Sequence, residues 1–357
     1  MNAVLPSPEE LQKSIPVTAA LAESVAGHRA AIAAVLDGLD DRLLVIAGPC
    51  SVHDAASTLD YARRLRALAA EHRADLLIVL RAYLEKPRTG IGWPGLLLDP
   101  GLDDWCCGPA ERALRPVADA RTGLPMGRRL LAELAELDLP LAYEFVEPAL
   151  APYVADLVSW GAIGARTVES PPHRRLASAL PMPIGCKNRP DGHVGAAVDA
   201  VGVATGGHSV VVPDGKGRLA VSRTGGNPYA HVVLRGGSHG PNYGPHAVAD
   251  ALDRLTAAGL PARVVVDASH GNSGKDHTRQ PLVVESLAAQ IAAGRTGLAG
   301  VMLESFIHPG NQPITPDLAY GISVTDGCMG LDTTAGTLGA LATAVRARRE
   351  ARVAVPT

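Results

Sequence analysis

The residues best able to do chemistry in this sequence are concentrated in one stretch, Arg81-Ala-Tyr-Leu-Glu-Lys86-Pro87-Arg88-Thr89-Gly-Ile-Gly-Trp93. Three cations and a hydroxyl fall within nine positions, beside glycines that leave backbone amides free, and this is the composition of a phosphate-binding loop. Pro87 fixes its own φ and biases Lys86 toward an extended conformation, holding the flanking side chains apart. The segment feeding this loop, Leu76-Leu-Ile-Val-Leu80, is continuously apolar and β-branched at Ile78 and Val79. Such a run reads as a strand buried on both faces, and a buried strand that ends in Arg81 needs a use for the charge. A single loop of this kind is as easily a solvated connection. Recurrence of the pattern around the chain favours function.

The chain's totals restrict the partners. It has 357 residues, 47% of them hydrophobic but only 3% aromatic, enough for one barrel-sized core built from Ala, Val and Leu. A net charge of −3 argues against nucleic acid or an anionic membrane as partner, so any cationic cluster must be local. Five cysteines at scattered positions fit a reducing compartment and not a disulfide framework. The start, Met1-Asn-Ala-Val-Leu-Pro, lacks a basic, apolar leader, and no apolar run approaches the roughly 18 residues of a membrane span. A soluble, cytoplasmic protein is expected. Only five of the 33 basic residues are lysines (Lys13, Lys86, Lys187, Lys216 and Lys275), and where arginine is the habitual cation a lysine suggests a need for a compact ammonium.

The elements that must position these groups alternate. Residues 7–38 carry a Ser7-x-x-Glu10 capping signal and an Ala-rich helical pattern. Strands are expected at Leu43-Leu-Val-Ile-Ala47, 76–83, Leu141-Ala-Tyr-Glu144-Phe, 163–168, 183–188, His208-Ser-Val-Val-Val-Pro213, 263–270 and 300–305. Helices are expected between them, at about 55–72, 127–138, 148–159, 172–179, 193–201, 245–258 and 281–293, and after them at 336–350. Residues 99–127 form a long mixed segment that includes Trp105-Cys-Cys-Gly-Pro and a helical 110–120. Residues 217–235 look like an antiparallel hairpin, 218–223 against 230–235, turning at Gly225-Gly226-Asn227. Eight strands alternating with helices predict an α/β protein, a (β/α)₈ TIM barrel (41–357) with a short N-terminal helical extension (1–40) and a hairpin inserted after strand 6. A doubly wound sheet is less economical, because no Gly-x-Gly-x-x-Gly follows the first strand.

In such a barrel every strand's C-terminal end faces the active site. The residues there are Cys50, Arg81, Glu144, Arg166, Lys187, Arg235, His270 and Glu304. Arg81, Lys86, Arg166, Lys187 and Arg235 call for a ligand carrying several negative charges, such as a carboxylate plus a phosphate. Cys50, His270, Glu304 and Asp326 offer sulfur, nitrogen and two carboxylates, a set suited to a divalent transition metal such as Mn²⁺, Fe²⁺, Co²⁺ or Zn²⁺. Taken singly, Cys50 is equally readable as a small buried hydrophobe and His270 as a core histidine. The Cys106-Cys107 pair reads as part of a loop.

Several of these blocks carry a resemblance. Gly48-Pro-Cys-Ser-Val-His-Asp54, Leu84-Glu-Lys-Pro-Arg-Thr89, Gly161-Ala-Ile-Gly-Ala-Arg166-Thr, Leu234-Arg-Gly-Gly237, Asp267-Ala-Ser-His270-Gly-Asn-Ser and Ser323-Val-Thr-Asp326-Gly-Cys resemble the type I 3-deoxy-D-arabino-heptulosonate 7-phosphate (DAHP) synthases, from about residue 5 to 350. The resemblance implies condensation of phosphoenolpyruvate with erythrose 4-phosphate and water, giving DAHP and phosphate, the first step of the shikimate pathway. It implies metal ligands at Cys50, His270, Glu304 and Asp326. It also implies phosphoenolpyruvate contacts at Arg81, Lys86, Glu144, Arg166, Lys187 and Arg235, and aldose-phosphate contacts at Lys86, Pro87, Arg88 and Thr89. The implied metal is a Lewis acid at the aldehyde oxygen, with Lys86 or His270 handling its proton. A homodimer or homotetramer is the expected assembly, and because Cys328 lies two residues from the implied ligand Asp326, the metal-free enzyme is expected to oxidise to a Cys50–Cys328 disulfide.

The chain departs from the family pattern at Arg166-Thr-Val-Glu-Ser-Pro171, Lys187-Asn-Arg-Pro-Asp-Gly192 and Val212-Pro-Asp-Gly215, and the 99–127 segment is longer than usual. These changes surround the mouth and bear on which aldose phosphate enters, so a relative using another aldose, such as arabinose 5-phosphate, is the first alternative. A catalytically silent scaffold is the second, opposed by the retention of so much charge at strand ends. The Asp-Asp-x-Arg-Ile arm of family members inhibited by aromatic amino acids is missing, and Val210 and Val212 replace inhibitor-receiving side chains. Insensitivity to Phe, Tyr and Trp is expected.

Overall fold

The computed structural model describes residues 4–102 and 120–353, so the 103–119 part of the long mixed segment, with Trp105, the Cys106-Cys107 pair and most of the expected 110–120 helix, lies outside the described residues. The chain begins with two helices, α1 (Pro8–Ser14) and α2 (Ala19–Leu36), the first closed by the expected capping box between Ser7 and Glu10. Eight buried runs then form a closed parallel barrel: β1 (Leu43–Gly48), β2 (Leu76–Arg81), β3 (Leu141–Glu144), β4 (Trp160–Ile163), β5 (Ile184–Lys187), β8 (His231–Leu234), β9 (Val264–Asp267) and β10 (Leu298–Glu304). The first strand pairs with the last, Gly48 opposite Glu304, which closes the ring. Helices Ala55–Glu71, Ala120–Ala135, Pro171–Ala179, Gly195–Thr205, Pro245–Ala257, Gln280–Ala292 and Leu331–Val353 follow the strands. The expected 148–159 helix is instead a single α-turn, Ala151–Val154, between two 3₁₀ turns, with Pro148 and Pro152 limiting its length.

Strand side chains alternate, and the two sets have different partners. Leu43, Val45, Ile78, Leu80, Val264, Val266, Val301 and Leu303 pack with the surrounding helices. Leu44, Ile46, Leu77, Val79, Trp160, Val233, Val265 and Met302 pack with one another as the inner layers, closed underneath by Ile32, Val35 and Leu36 of α2. Two residues beyond these inner positions come Arg81, Glu144, Lys187, Asp267 and Glu304. The pleat that fills the barrel with hydrocarbon therefore ends, one step higher, in a layer of charge. Gly48 occupies the matching place on β1, where a Cβ would come within 2.6 Å of the Arg81 carbonyl oxygen and 2.9 Å of its Cβ.

The hairpin differs from its expected pairing. β6 (Ser209–Pro213) runs antiparallel to β7 (Leu219–Arg223), outside the barrel and before its sixth strand, which is 231–234. The turn is Asp214-Gly-Lys-Gly217: Asp214 Oδ1 accepts from the amides of Lys216 and Arg218 at 2.9 Å each, and Gly217 takes φ 76°. The Val210-Val-Val triplet suggested a core strand, yet only Val210 is buried, while Val211 is 64% exposed. Strand four also ends earlier than expected, at Ile163, because Gly164 and Thr167 close a turn (3.0 Å) that places Arg166 in the following loop.

Contrary to the expectation that no run is long enough to span a membrane, α2 qualifies by length and composition. Its contacts give it a different role. Arg29, near its middle, donates to the carbonyls of Val158 (2.9 Å) and Ala155 (2.8 Å), and its apolar face seals the barrel floor.

Candidate active site

At the C-terminal mouth, seven cationic side chains (Arg81, Lys86, Arg88, Arg166, Lys187, Arg235 and Lys275) line one cavity of about 110 Å³ together with Tyr83, Glu144, His270 and Asp326. Each expected strand-end residue is at this mouth. Larger cavities flank the barrel elsewhere, but the 720 Å³ one between the helices Pro245–Ala257 and Gln280–Ala292 is lined mainly by small side chains, with Asp253 and Arg295 its charged residues among those described.

Two of the cations are already committed. Arg81, 1% exposed, donates to the carbonyls of Pro49 (3.0 Å) and Cys50 (3.2 Å) and to Glu304 Oε1 (3.0 Å), and its guanidinium lies 3.8 Å from the Tyr83 ring centre. It braces the cluster from below and fixes Glu304. Lys187 Nζ lies 3.6 Å from both Glu144 Oε2 and Asp267 Oδ2. Burial pushes the Glu144 carboxyl up, but Lys187, Arg81 and Lys86 together outweigh it and hold the group below its ordinary value. Asp267 is held well below its own: burial opposes this, and His270, Lys187 and Arg81 override it.

Beside these lies a set of potential metal donors. The Cys50 sulfur and one oxygen each from Glu304 and Asp326 lie within 4.8 Å of one another. The fourth expected ligand, His270, stands just outside that group, its Nε2 3.6 Å from Glu304 Oε1. Its Nδ1 is 2.6 Å from Ser269 Oγ and 3.0 Å from Asp267 Oδ2, so the ring is oriented from behind with Nε2 toward the cluster. Burial, with Glu304 adding to it, pushes the Cys50 thiol up to about 11. Two carboxylates and a sulfur at this spacing suit a divalent cation, which would supply the positive charge that a thiolate there requires. The residues present fit such an ion. Cys328 is the neighbour expected: its sulfur accepts from the Cys50 amide at 3.3 Å.

The loop after β2 forms one wall. Lys86 Nζ donates to Cys50 Sγ at 2.7 Å, and Arg88 Nε to the Trp93 carbonyl at 2.8 Å. Burial opposes charge on Lys86, but Cys50, Glu304 and Asp326 raise its pKa, so the ammonium form persists. Thr89 Oγ1 accepts from Arg166 Nε at 2.7 Å, which links this loop to the one after β4. Behind it, Glu85 accepts from Tyr143 Oη (2.7 Å) and the Glu147 amide (2.8 Å), and burial pushes its carboxyl up to about 8. At the opposite rim two of the unusual residues meet the mouth: Arg189 bridges Glu169 (3.0 Å) and Asp191 (3.1 Å), and Pro190 lines the cavity.

Arg235 is set by a buried amide network that the motifs do not single out. Asn188 Oδ1 accepts from the Arg235 amide (2.7 Å) and from Asn242 Nδ2 (3.1 Å). Asn242 Oδ1 accepts from the Gly236 amide (2.7 Å), and Asn272 Oδ1 from the Asn242 amide (2.7 Å). Gly236, at φ 65°, approaches the Gly271–Asn272 backbone so closely that a Cβ would lie 2.5 Å from the Asn272 nitrogen. Gly236→Ala is therefore expected to lose about 1–3 kcal/mol of stability and to misplace both Arg235 and His270. A thermal melt read beside the KM for the anionic substrate checks this; wild-type values for both would refute it. Asp267, Lys275 and Tyr83 join the site without having been expected there. Asp267 opens one of the motifs, and Lys275 is one of only five lysines, so both had a sequence signal. Tyr83 had none beyond its place between Arg81 and Glu85.

Fold and site together define an enzyme of the (β/α)₈ class, with a cation-rich pocket set against a candidate metal-binding group of one thiol and two carboxylates. The chain belongs to the DAHP synthetase I family, whose pattern it matches over residues 15–338. It is 46% identical over 356 residues to a phospho-2-dehydro-3-deoxyheptonate aldolase of Corynebacterium glutamicum, covering 97% of this chain and 93% of the relative. A Tyr-sensitive phospho-2-dehydro-3-deoxyheptonate aldolase of Escherichia coli K12 is 43% identical over 354 residues, covering 98% and 96%. The solved phospho-2-dehydro-3-deoxyheptonate aldolase of Francisella tularensis SCHU S4 superposes with a TM-score of 0.92 at 41% identity, covering 98% of this chain and 99% of that one.

Proposed function

We infer that the protein condenses phosphoenolpyruvate with erythrose 4-phosphate and water to give DAHP and phosphate, as a divalent-metal-dependent enzyme opening aromatic biosynthesis. The observation carrying this reading is the juxtaposition of seven cations with the Cys50–Glu304–Asp326 cluster in one mouth. Arg166, Lys187 and Arg235 hold the carboxylate and phosphate of phosphoenolpyruvate, and Arg81 and Glu144 set Lys187 and the floor beneath it. Lys86, Pro87, Arg88 and Thr89 take the aldose phosphate. C3 of the enol phosphate then lies in near-attack range of the aldehyde carbon. The new bond joins these two carbons, water adds at C2, and phosphate leaves.

Cys50, His270, Glu304 and Asp326 hold the metal, for which Mn²⁺, Fe²⁺, Co²⁺ and Zn²⁺ are the candidates. When bound it supplies Lewis-acid stabilisation of charge developing at the aldehyde oxygen. Lys86 gives that oxygen its proton: its ammonium persists, and it stands at the edge of the cluster. A coupled assay of phosphoenolpyruvate consumption with erythrose 4-phosphate, with and without chelator, tests the reading. No turnover in the metal-replete enzyme would sink it. Because Arg189 and Pro190 alter the rim, five-carbon aldose phosphates belong in the same screen, and a preference for one of them would reassign the second substrate.

The enzyme is a feedback-insensitive copy, although relatives carry the labels Tyr-sensitive and Trp-sensitive. The cleft beside β6, lined by Pro148, Pro172, Arg175, Leu176 and Val210 to Val212, has among the described residues no carboxylate to pair with an amino acid's ammonium group. Initial rates are expected to stay within about twofold of control with Phe, Tyr or Trp at millimolar level; strong inhibition by any one refutes this. Residues 1–40 form a helical extension of a single catalytic barrel, 41–357. The assembly is a homodimer or homotetramer, a reading supported by the apolar Val211, Leu219 and Val221 exposed on the hairpin and tested by light scattering. Free Cys50, Cys186 and Cys328 support a reducing, cytoplasmic setting.

A further inference from the structure

At the opposite, N-terminal end of the barrel lies a second polar cavity, about 260 Å³, built on the leading ends of three neighbouring strands. Asp40, Asp41 and Arg42 enter it just before β1, Arg263 just before β9, and Arg295 just before β10, while Arg348 and Arg352 reach it from the C-terminal helix. Its lining thus holds five guanidinium groups against three carboxylates, the third being Asp37 at the end of α2.

The carboxylates are already claimed. Arg42 binds Asp40 through Nη2 at 2.6 Å, and Arg263 binds Asp37 at 2.5 Å. Asp41 is gripped by Arg349, whose Nε and Nη2 each lie 2.7 Å from its two oxygens. Arg349 also reaches Asp75, which Arg346 shares. Arg295, Arg348 and Arg352 have no ion pair among the described residues, and Arg348 reaches only the backbone carbonyl of Asp41. Arg348 is 7% exposed and Arg263 4%, and each retains a buried Nε–H without an acceptor. Burial lowers the pKa of Arg348, and Arg352 and Arg349 lower it further, so like charges are crowded here. A cluster serving only to tie the barrel's base together would be complete with the paired arginines. Three further guanidinium groups turned on the same space, two buried N–H donors lacking acceptors, and a cavity too small for a large ligand point to a compact oxyanion.

We propose that this cavity is a second anion site, binding a phosphate-type dianion between Arg295, Arg348 and Arg352 and so joining the C-terminal helix to the strand starts. The group is either free inorganic phosphate or the phosphate end of a small metabolite. Thermal melts of the metal-replete full chain test it, with Arg235→Gln as background to weaken the catalytic pocket, whose remaining response is the baseline for the substitutions below. Inorganic phosphate is expected to raise Tm saturably, beyond sodium chloride at equal ionic strength. Adding Arg295→Gln and Arg352→Gln, neither of which breaks an ion pair among the described residues, is expected to weaken the apparent phosphate affinity at least tenfold. Glucose 6-phosphate in a parallel arm identifies the source: the tighter binder of the two is the preferred form. Equal shifts from phosphate and chloride, or a phosphate effect untouched by the two substitutions, would overturn the proposal. In an otherwise wild-type chain the same pair should leave the KM for phosphoenolpyruvate within twofold, which separates this site from the catalytic one.

Discussion

Cys50→Ala is expected to lower turnover about 10³-fold, the equivalent of about 4 kcal/mol of lost transition-state stabilisation, while the fold survives. The side chain is fully buried and small, so alanine fits its space without a sizeable void. What disappears is the sulfur from a donor set in which Glu304 and Asp326 stand within 4.8 Å of it. The substitution also removes the partner of the Lys86 ammonium at 2.7 Å, so the proposed proton donor loses its anchor as the proposed metal site loses a ligand. Elemental analysis should show less than one ion per chain after gel filtration, and the melt should lie close to that of the wild-type apo-protein. Full metal content with near-normal turnover would remove Cys50 from the site.

Lys187→Met is the second large effect, and it acts on stability as well as binding. The ammonium serves two buried carboxylates, Glu144 and Asp267, each 3.6 Å away. Methionine keeps most of the volume but leaves Glu144 without its nearest cation and Asp267 with only the His270 ring close by, a loss of about 3–5 kcal/mol. The pH dependence gives the mechanism away. In the wild type both carboxyls are held below their ordinary values, so their contribution is full above about pH 4.5 and is lost as pH falls below it. In the variant their pKa values rise, and acidification lets the folded protein take up protons and relieve the repulsion. The Tm gap between wild type and variant should therefore be widest near pH 8 and narrow toward pH 5. A gap that stays constant with pH would show that packing, not charge, was lost. The KM for phosphoenolpyruvate should rise at least about 100-fold, in line with losing a charged contact, with a much smaller change for the aldose phosphate.

The barrel and most of its mouth were legible because both rest on short, local patterns. A buried strand announces itself by continuous Val, Ile and Leu, and an arginine or lysine closing such a run has little use there except to meet an anion or a buried carboxylate. The sixth strand was misplaced because Val210-Val-Val has the same composition as a core strand, and only tertiary placement shows that it lies outside the ring. The Asp214-Gly-Lys-Gly217 turn was the signal that could have corrected it. The candidate metal donors are legible only through their motifs, since Cys50 and Asp326 are distant in sequence and nothing local links them; the structure adds that they lie close together. The Asn188–Asn242–Asn272 network was not legible, because buried asparagine and loop asparagine look alike until their hydrogen bonds are known. The role of Arg81 also needed coordinates: its residue type indicates an anion, and its geometry shows it bracing Glu304.

The floor formed by Ile32, Val35 and Leu36 has a consequence for how the chain reaches this state. Those residues precede every strand of the barrel in sequence, yet the inner layer they cover includes Val265 and Met302 of its last two strands, and Leu44 of the first strand pairs beside the last. This helix must therefore wait, greasy side uncovered, until the last barrel strand has been made. Closure is a late event of high contact order, slow by its topology, and the waiting helix is where a chaperone would have most to shield.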